Sequence, residues 1–150
     1  MNRNERVLAV WVYVVLCFGG GLRAAERPAD LLYPTLDAIC MVESSGGRDV
    51  RVGDDGLAVG PYQIHPGYVR DVNMWLRRMG VPCQYTLADR ADMQKARHMT
   101  AVYVTCWAHA KGLSQTPETW ARIHNGGPNG CSKPATISYW RRVQRRLNDV

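Results

Sequence analysis

Apolar positions recur at helical spacing along most of this chain, and one such stripe ends in an acid. Leu36, Ile39, Cys40 and Glu43 stand at i, i+3, i+4 and i+7, one face of a helix. Thr35 is placed to cap its start, with Asp37 in the first turn, and Ser44-Ser45-Gly46-Gly47 ends it. A second helix is expected from Pro66 to Met79, closed by Gly80-Val81-Pro82. Thr86, with Asp89 three residues on, is placed to cap a longer helix. That helix carries Met93, Ala96, Met99, Tyr103, Cys106, Trp107 and Ala110 on one face and stops at Gly112. Thr116-Pro117 opens a short helix to His124. On the last helix Ile137, Trp140, Val143 and Leu147 oppose Arg141, Arg142, Arg145 and Arg146. Only Val50 to Ile64 breaks the helical period. It is glycine-punctuated and partly alternating, which suits a small hairpin or irregular flap beside Glu43.

The chemistry concentrates around that flap. Glu43 points along an apolar face at a helix end, so partial desolvation is expected to raise its pKa and let it hold a proton near neutral pH. Asp54 and Asp55 lie in a polar glycine turn and are expected to stay ionised. Two carboxyls in unequal surroundings are what glycoside hydrolysis needs. The plain alternative makes Glu43 a solvated last-turn residue and the aspartates turn formers. The late run His124-Asn125-Gly126-Gly127-Pro128-Asn129-Gly130-Cys131 ends a helix in a rigid glycine-rich loop, and it too could be a simple helix stop.

Taken in order, Glu43-Ser44-Ser45-Gly46, Gly60-Pro61-Tyr62-Gln63-Ile64-His65 and the His124–Cys131 run resemble the invertebrate-type lysozyme (destabilase) family, over about Leu36 to Trp140. A more distant likeness is to lytic transglycosylases, with an early Glu-Ser, a Gly-x-x-Gln and a late Asn-x-Gly-Pro. The resemblance implies an α+β, mostly α, lysozyme-like fold with a small β-hairpin or flap. It implies a muramidase acting on peptidoglycan or a related N-acetylated glycan, with Glu43 as proton donor and Asp54 as nucleophile. The loop between Gly56 and Gly60 is one residue shorter than the family's, which keeps Asp55 as the alternative nucleophile. Carboxyls roughly 5 Å apart would make the enzyme retaining.

Substrate contacts implied by the same alignment are His65, Tyr68 and Asp71 on one side of a groove, and His124, Asn125, Gly126 and Lys133 on the other. Val69 stands where the family carries a tryptophan. Tyr103 or Trp107 is expected to reach the groove from a stripe that otherwise reads as core. Three other readings stay open: a lytic transglycosylase using Glu43 alone, a non-catalytic glycan-binding protein, and an isopeptidase, for which no Ser-His or Cys-His pair can be placed.

Composition narrows the setting. The chain of 150 residues allows one domain. Residues 1–25 look like a secretory signal: Arg3 and Arg6, an apolar run from Val7 to Leu22, and Ala24-Ala25 near a cleavage point. A secreted single domain over 26–150, a monomer without a stable membrane span, is therefore expected. Removing Arg3, Arg6, Arg23 and Glu5 with the leader takes the net charge from +6 to about +4. That suits an anionic wall, and no nucleic-acid motif appears. The arginines of the last helix read as a solvated face, or as a wall-contacting patch. Cys40, Cys83, Cys106 and Cys131 remain, an even count that predicts two disulfides, fewer than the family usually carries. No cofactor and no metal site is expected, since no Cys-x-x-Cys spacing occurs and the histidines are scattered.

Overall fold

The structure, a computed structural model, describes residues 28–50 and 53–149; the leader expected over 1–25 lies outside them. Helix α1 spans Pro28–Ser44 and starts a full two turns before the expected cap. Pro28 sits at its first position, where a missing N–H costs nothing, and the helix continues through Pro34. Thr35 is thus an interior residue, wholly buried, with its hydroxyl donating to the Leu31 carbonyl at 2.7 Å.

Helix α2 spans Pro66–Arg78, α3 Met93–Ala110, α4 Pro117–Gly126 and α5 Ala135–Asn148. Asp92, not Thr86, caps α3, accepting from the Lys95 N–H at 2.9 Å. The Thr86–Asp89 pair does form: Asp89 accepts from both the backbone and the hydroxyl of Thr86. It closes the short 3-10 turn Ala88–Ala91 that precedes α3. Thr116 caps α4 as expected.

The helices pack around one core. α4 lies against α3, α1 and α5, while α5 returns along α1 and α2 leans on α3. Leu36, Ile39, Val72, Leu76, Met99, Val104, Trp120, Ile123 and Val143 fill the centre. Of the expected inward face of α5, Val143 is buried and Trp140 and Leu147 pack against the core, whereas Ile137 is exposed. Thr136 and Tyr139 are buried beside that face, which brings the Tyr139 hydroxyl into the interior.

The flap is not a ladder of strands. Among the described residues it consists of two isolated antiparallel bridges, Gly53–Ala58 and Val59–Ile64, around the 3-10 turn Asp54–Gly56. Side chains hold it instead of a sheet. The buried Arg90 guanidinium donates to the carbonyls of Leu57 and Ile64, both at 2.9 Å. Gly60 makes this fit possible. Its φ is +84°, and a Cβ there would lie 1.8 Å from the Arg90 carbonyl oxygen.

The two expected disulfides are not formed; Cys40, Cys83, Cys106 and Cys131 are all free thiols. A bridge needs Cα atoms within about 7 Å and facing Cβ vectors. Here each side chain has its own neighbour: Cys40 lies against Ser44 on α1, Cys83 beside Tyr85, Cys106 beside Thr105 on α3, and Cys131 against the Thr119 carbonyl on α4. Burial pushes the Cys40 and Cys131 thiols up, and that of Cys106 to about 11. They act as small packing residues.

Candidate active site

Glu43 occupies the last turn of α1, with its side chain only 19% exposed. The helix ends there because Ser45, Gly46 and Gly47 take left-handed backbone, with the Gly46 N–H closing on the Cys40 carbonyl, and the buried Ser44 hydroxyl then reaches outward. It donates to the Pro61 carbonyl at 2.8 Å and accepts from the Gly47 N–H at 2.8 Å. One short side chain thereby ties the end of α1 to the Gly-Pro-Tyr-Gln-Ile-His segment.

Three further elements converge on the Glu43 carboxyl. From α5, the Tyr139 hydroxyl donates to Oε1 at 2.7 Å. From α4, His124 Nε2 stands 3.5 Å from the same oxygen. The other ring nitrogen of His124, Nδ1, lies 3.1 Å from the Tyr68 hydroxyl of α2. A carboxylate can only accept, so it is a proton on Nε2 that faces Glu43, while Nδ1 meets the phenol. The result is a line of polar groups, Tyr68 to His124 to Glu43, met from the far side by Tyr139. Tyr68 in turn stacks on Tyr103 of α3, ring centroids 3.5 Å apart and planes 13° from parallel.

This environment reverses the expectation for Glu43. Burial alone pushes its pKa up, as an apolar helical face implies. The hydrogen bond and charge of His124, the Tyr139 hydroxyl and the Arg142 guanidinium outweigh it, and the carboxyl is held below its ordinary value. Burial, and then the neighbouring carboxylate, push the Tyr139 hydroxyl far up, so it remains a donor.

Asp54 is in a different setting. Its side chain is 72% exposed and meets His65 Nε2 at 3.1 Å. Asp54 and Asp55 both hold left-handed backbone, φ +47° and +51°, which non-glycine residues adopt rarely and mostly at functional or tightly held turns. His65 sits just before α2 and makes no cap hydrogen bond, which leaves its ring free to face Asp54.

The other expected contacts divide by depth. Tyr68 is 8% exposed and Tyr103 4%, so both rings form a support layer behind His124 rather than a sugar-facing surface. Burial, and then the Asp71 charge, push the Tyr103 hydroxyl up, which places Asp71 of α2 beside that layer. Asn125 is exposed at the end of α4. Gly126 is close-packed, since a Cβ would meet the Thr136 methyl at 2.6 Å. Lys133 donates to the Gly126 carbonyl at 2.7 Å and so braces the loop. Arg122 completes that brace, donating to Thr136 at 3.0 Å and to the Cys131 carbonyl at 2.6 Å. Among the described residues no group of three or more His, Cys, Asp or Glu side chains converges on a metal-sized point.

Sequence reasoning missed Tyr139 and Arg142 as members of the site. The available signal was a tyrosine four residues before a core valine on α5. A buried tyrosine hydroxyl needs a partner, and the Glu43 carboxyl is an acceptor for which no local partner is at hand.

No protein-family model matches the chain. Curated relatives do. A lysozyme of Ostrea edulis is 33% identical over 74% of this chain and 77% of its own length. One of Meretrix lusoria is 35% identical over 73% of this chain and 85% of its own. Invertebrate-type lysozyme 2 of Caenorhabditis elegans is 34% identical over 81% of this chain and 88% of its own. Among solved structures, the Meretrix lusoria lysozyme in complex with Aeromonas hydrophila PliI superposes with TM-score 0.61 at 32% identity, covering 75% of this chain and 87% of that one. The Tapes japonica lysozyme does so with the same TM-score at 28% identity and the same coverage.

Proposed function

This chain belongs to the invertebrate-type lysozyme family and is an enzyme of the lysozyme class, and on that footing we propose that it hydrolyses the β-1,4 bond between N-acetylmuramic acid and N-acetylglucosamine in peptidoglycan. The observation that carries this reading is the Glu43 carboxyl, nearly enclosed and addressed by Tyr139 and His124. Glu43 is the general acid. In the free protein it is ionised more readily than an ordinary glutamate, so it must gain its proton as substrate docks. A glycan over the carboxyl excludes the remaining water, and burial is already the largest single influence on it, acting in the raising direction. His124 supports this step as the adjacent proton carrier, and the protonated acid then delivers its proton to the glycosidic oxygen.

Asp54 is the nucleophile in the retaining form of this mechanism. Its carboxylate has to leave His65 to reach an anomeric carbon, and its exposure permits that movement. The engagement of Asp54 by His65 also favours one other reading, a lytic transglycosylase in which Glu43 serves as acid and then base and the sugar's own hydroxyl closes an anhydro ring. Asn125 and His65 line the groove. The enzyme acts outside the cytoplasm, after removal of the leader over residues 1–25.

Mass spectrometry of peptidoglycan digests tests the proposal. Reducing ends are the expected products, and 1,6-anhydro ends would replace the hydrolase by the transglycosylase. Glu43→Gln keeps the shape of the side chain and removes its transferable proton. The folded variant should lose at least about 10²-fold in turnover. Wild-type lysis by that variant would end the glycosidase reading at this site.

A further inference from the structure

Helix α5 carries more positive charge than its own packing uses. Arg142, Arg145 and Arg146 lie at i, i+3 and i+4, a spacing at which like charges repel along a helix. They converge with Met41, Val42 and Ser45 at the end of α1 around a cavity of about 530 Å³. The counter-charge there is Asp149, whose carboxylate lies 3.5 Å from Arg146 Nη1. Among the described residues three guanidinia thus line the hollow with one carboxylate, and Glu43 beyond it also senses Arg142.

Complementing the C-terminal dipole of α5 accounts for cations in its last turn. It does not account for their gathering, with Arg142 a turn earlier, around a shared hollow floored by another helix. Arg142 is also held in place, its Cζ lying 5.2 Å from the centroid of the Tyr139 ring. A guanidinium fixed on an aromatic face presents its N–H fork in a set direction. Guanidinium forks bind oxyanions through paired N–H···O bonds, and three of them around one hollow suit an anion that carries more than one charge or repeats along a chain. The uncompensated charge suits a phosphomonoester or a run of phosphodiesters.

We propose that the cavity between α1 and α5 is a phosphoryl-binding site built by Arg142, Arg145 and Arg146. It is separate from the glycan groove but adjoins its wall through Arg142 and Tyr139. Phosphoryl groups of this kind occur on polyol-phosphate wall polymers, on anionic lipid headgroups and as free phosphate. A site on α5 would hold the enzyme on such a polymer while the groove works on glycan. Binding at α5 does not depend on the chemistry assigned to Glu43.

The test begins with inorganic phosphate titrated into the full mature chain at constant ionic strength, followed by the arginine Nε–Hε resonances. Saturable shifts confined to a few arginines are expected. They should weaken at least about tenfold in Arg145→Ala/Arg146→Ala, the loss of two charge-assisted contacts. Arg145→Lys/Arg146→Lys retains the charge without the fork and should bind more weakly than wild type. Equal binding by the lysine pair would overturn a fork-built site and leave only diffuse charge. No saturable shift in the wild type would overturn the site itself. Sedimentation then separates the sources. Retention on walls carrying polyol phosphate, lost on stripped walls and in the alanine pair, supports the wall polymer. Retention on phosphatidylglycerol vesicles supports the lipid headgroup, and phosphate shifts without either support the free ion. Throughout, hydrolysis of uncharged N-acetylglucosamine oligomers by the alanine pair should match wild type. A loss of that hydrolysis in wild type as well would count against the glycosidase reading alone.

Discussion

Replacing Tyr139 by phenylalanine keeps the ring that fills the space between α1 and α5 and deletes only the hydroxyl that donates to Glu43 at 2.7 Å. The Glu43 pKa is lowered in the fold, so its contribution to stability is present above the ordinary glutamate value and lost as the pH falls through the lowered one. Tyr139→Phe removes part of that lowering. It should cost about 1–3 kcal/mol near neutral pH, the worth of a hydrogen bond to a charged group, and much less in acid. Urea unfolding at the two conditions measures the difference. A general acid must be protonated to act, so its pKa sets the alkaline limb of the rate profile. Because the variant's Glu43 titrates higher, that limb should move to higher pH. A second residue-scale outcome concerns the paired aspartates. Asp54→Asn should reduce turnover by about 10²-fold or more, and Asp55→Asn far less, if Asp54 is the nucleophile. Near-normal turnover in both single variants and the double would favour the anhydro-forming reaction.

At the scale of elements, the flap depends on tertiary anchors because its own backbone makes only isolated bridges. Arg90, arriving just before α3, supplies the hydrogen bonds that a neighbouring strand would otherwise supply. Gly60→Ala strikes that junction directly, since the new methyl would fall 1.8 Å from the Arg90 carbonyl oxygen at a φ of +84°. The substitution should destabilise the protein by at least about 2 kcal/mol, as strain at a left-handed glycine joins a forced displacement. Thermal unfolding reads the loss. Hydrogen exchange should show the Gly53–Ile64 amides opening ahead of those of α3. The helices were legible because each depends on near neighbours: Thr116 before Pro117, or Leu36, Ile39 and Glu43 on one face. Of the hairpin and the irregular flap that the partial alternation over Val50 to Ile64 allowed, the described residues form the flap, because strand pairing needs a partner ladder and the short loop supplies only isolated bridges.

For the whole molecule, the free thiols imply that the fold stands on its core. Thiol titration of the unfolded, unreduced chain from residue 26 onward should find Cys40, Cys83, Cys106 and Cys131 all reactive. Its melting temperature should be indifferent to reductant. A reductant-dependent melting temperature would show that bridges form and that the helices shift to allow them. The even cysteine count pointed the other way because pairing depends on Cα separation and side-chain direction, which spacing along the chain does not contain.

The sequence by itself determined the helical periods, the acid at the end of α1, the glycine turns around Asp54 and Gly60, and the late loop after His124. All are local: they follow from side-chain period, capping and backbone freedom within a few residues. The tertiary structure alone decided how readily Glu43 holds a proton, because Tyr139 approaches from 96 residues along the chain and His124 from another helix again. An apolar face predicts desolvation, and desolvation is present. Its outcome is set by which polar groups the packing of α4 and α5 carries to the carboxyl, and no local pattern specifies that.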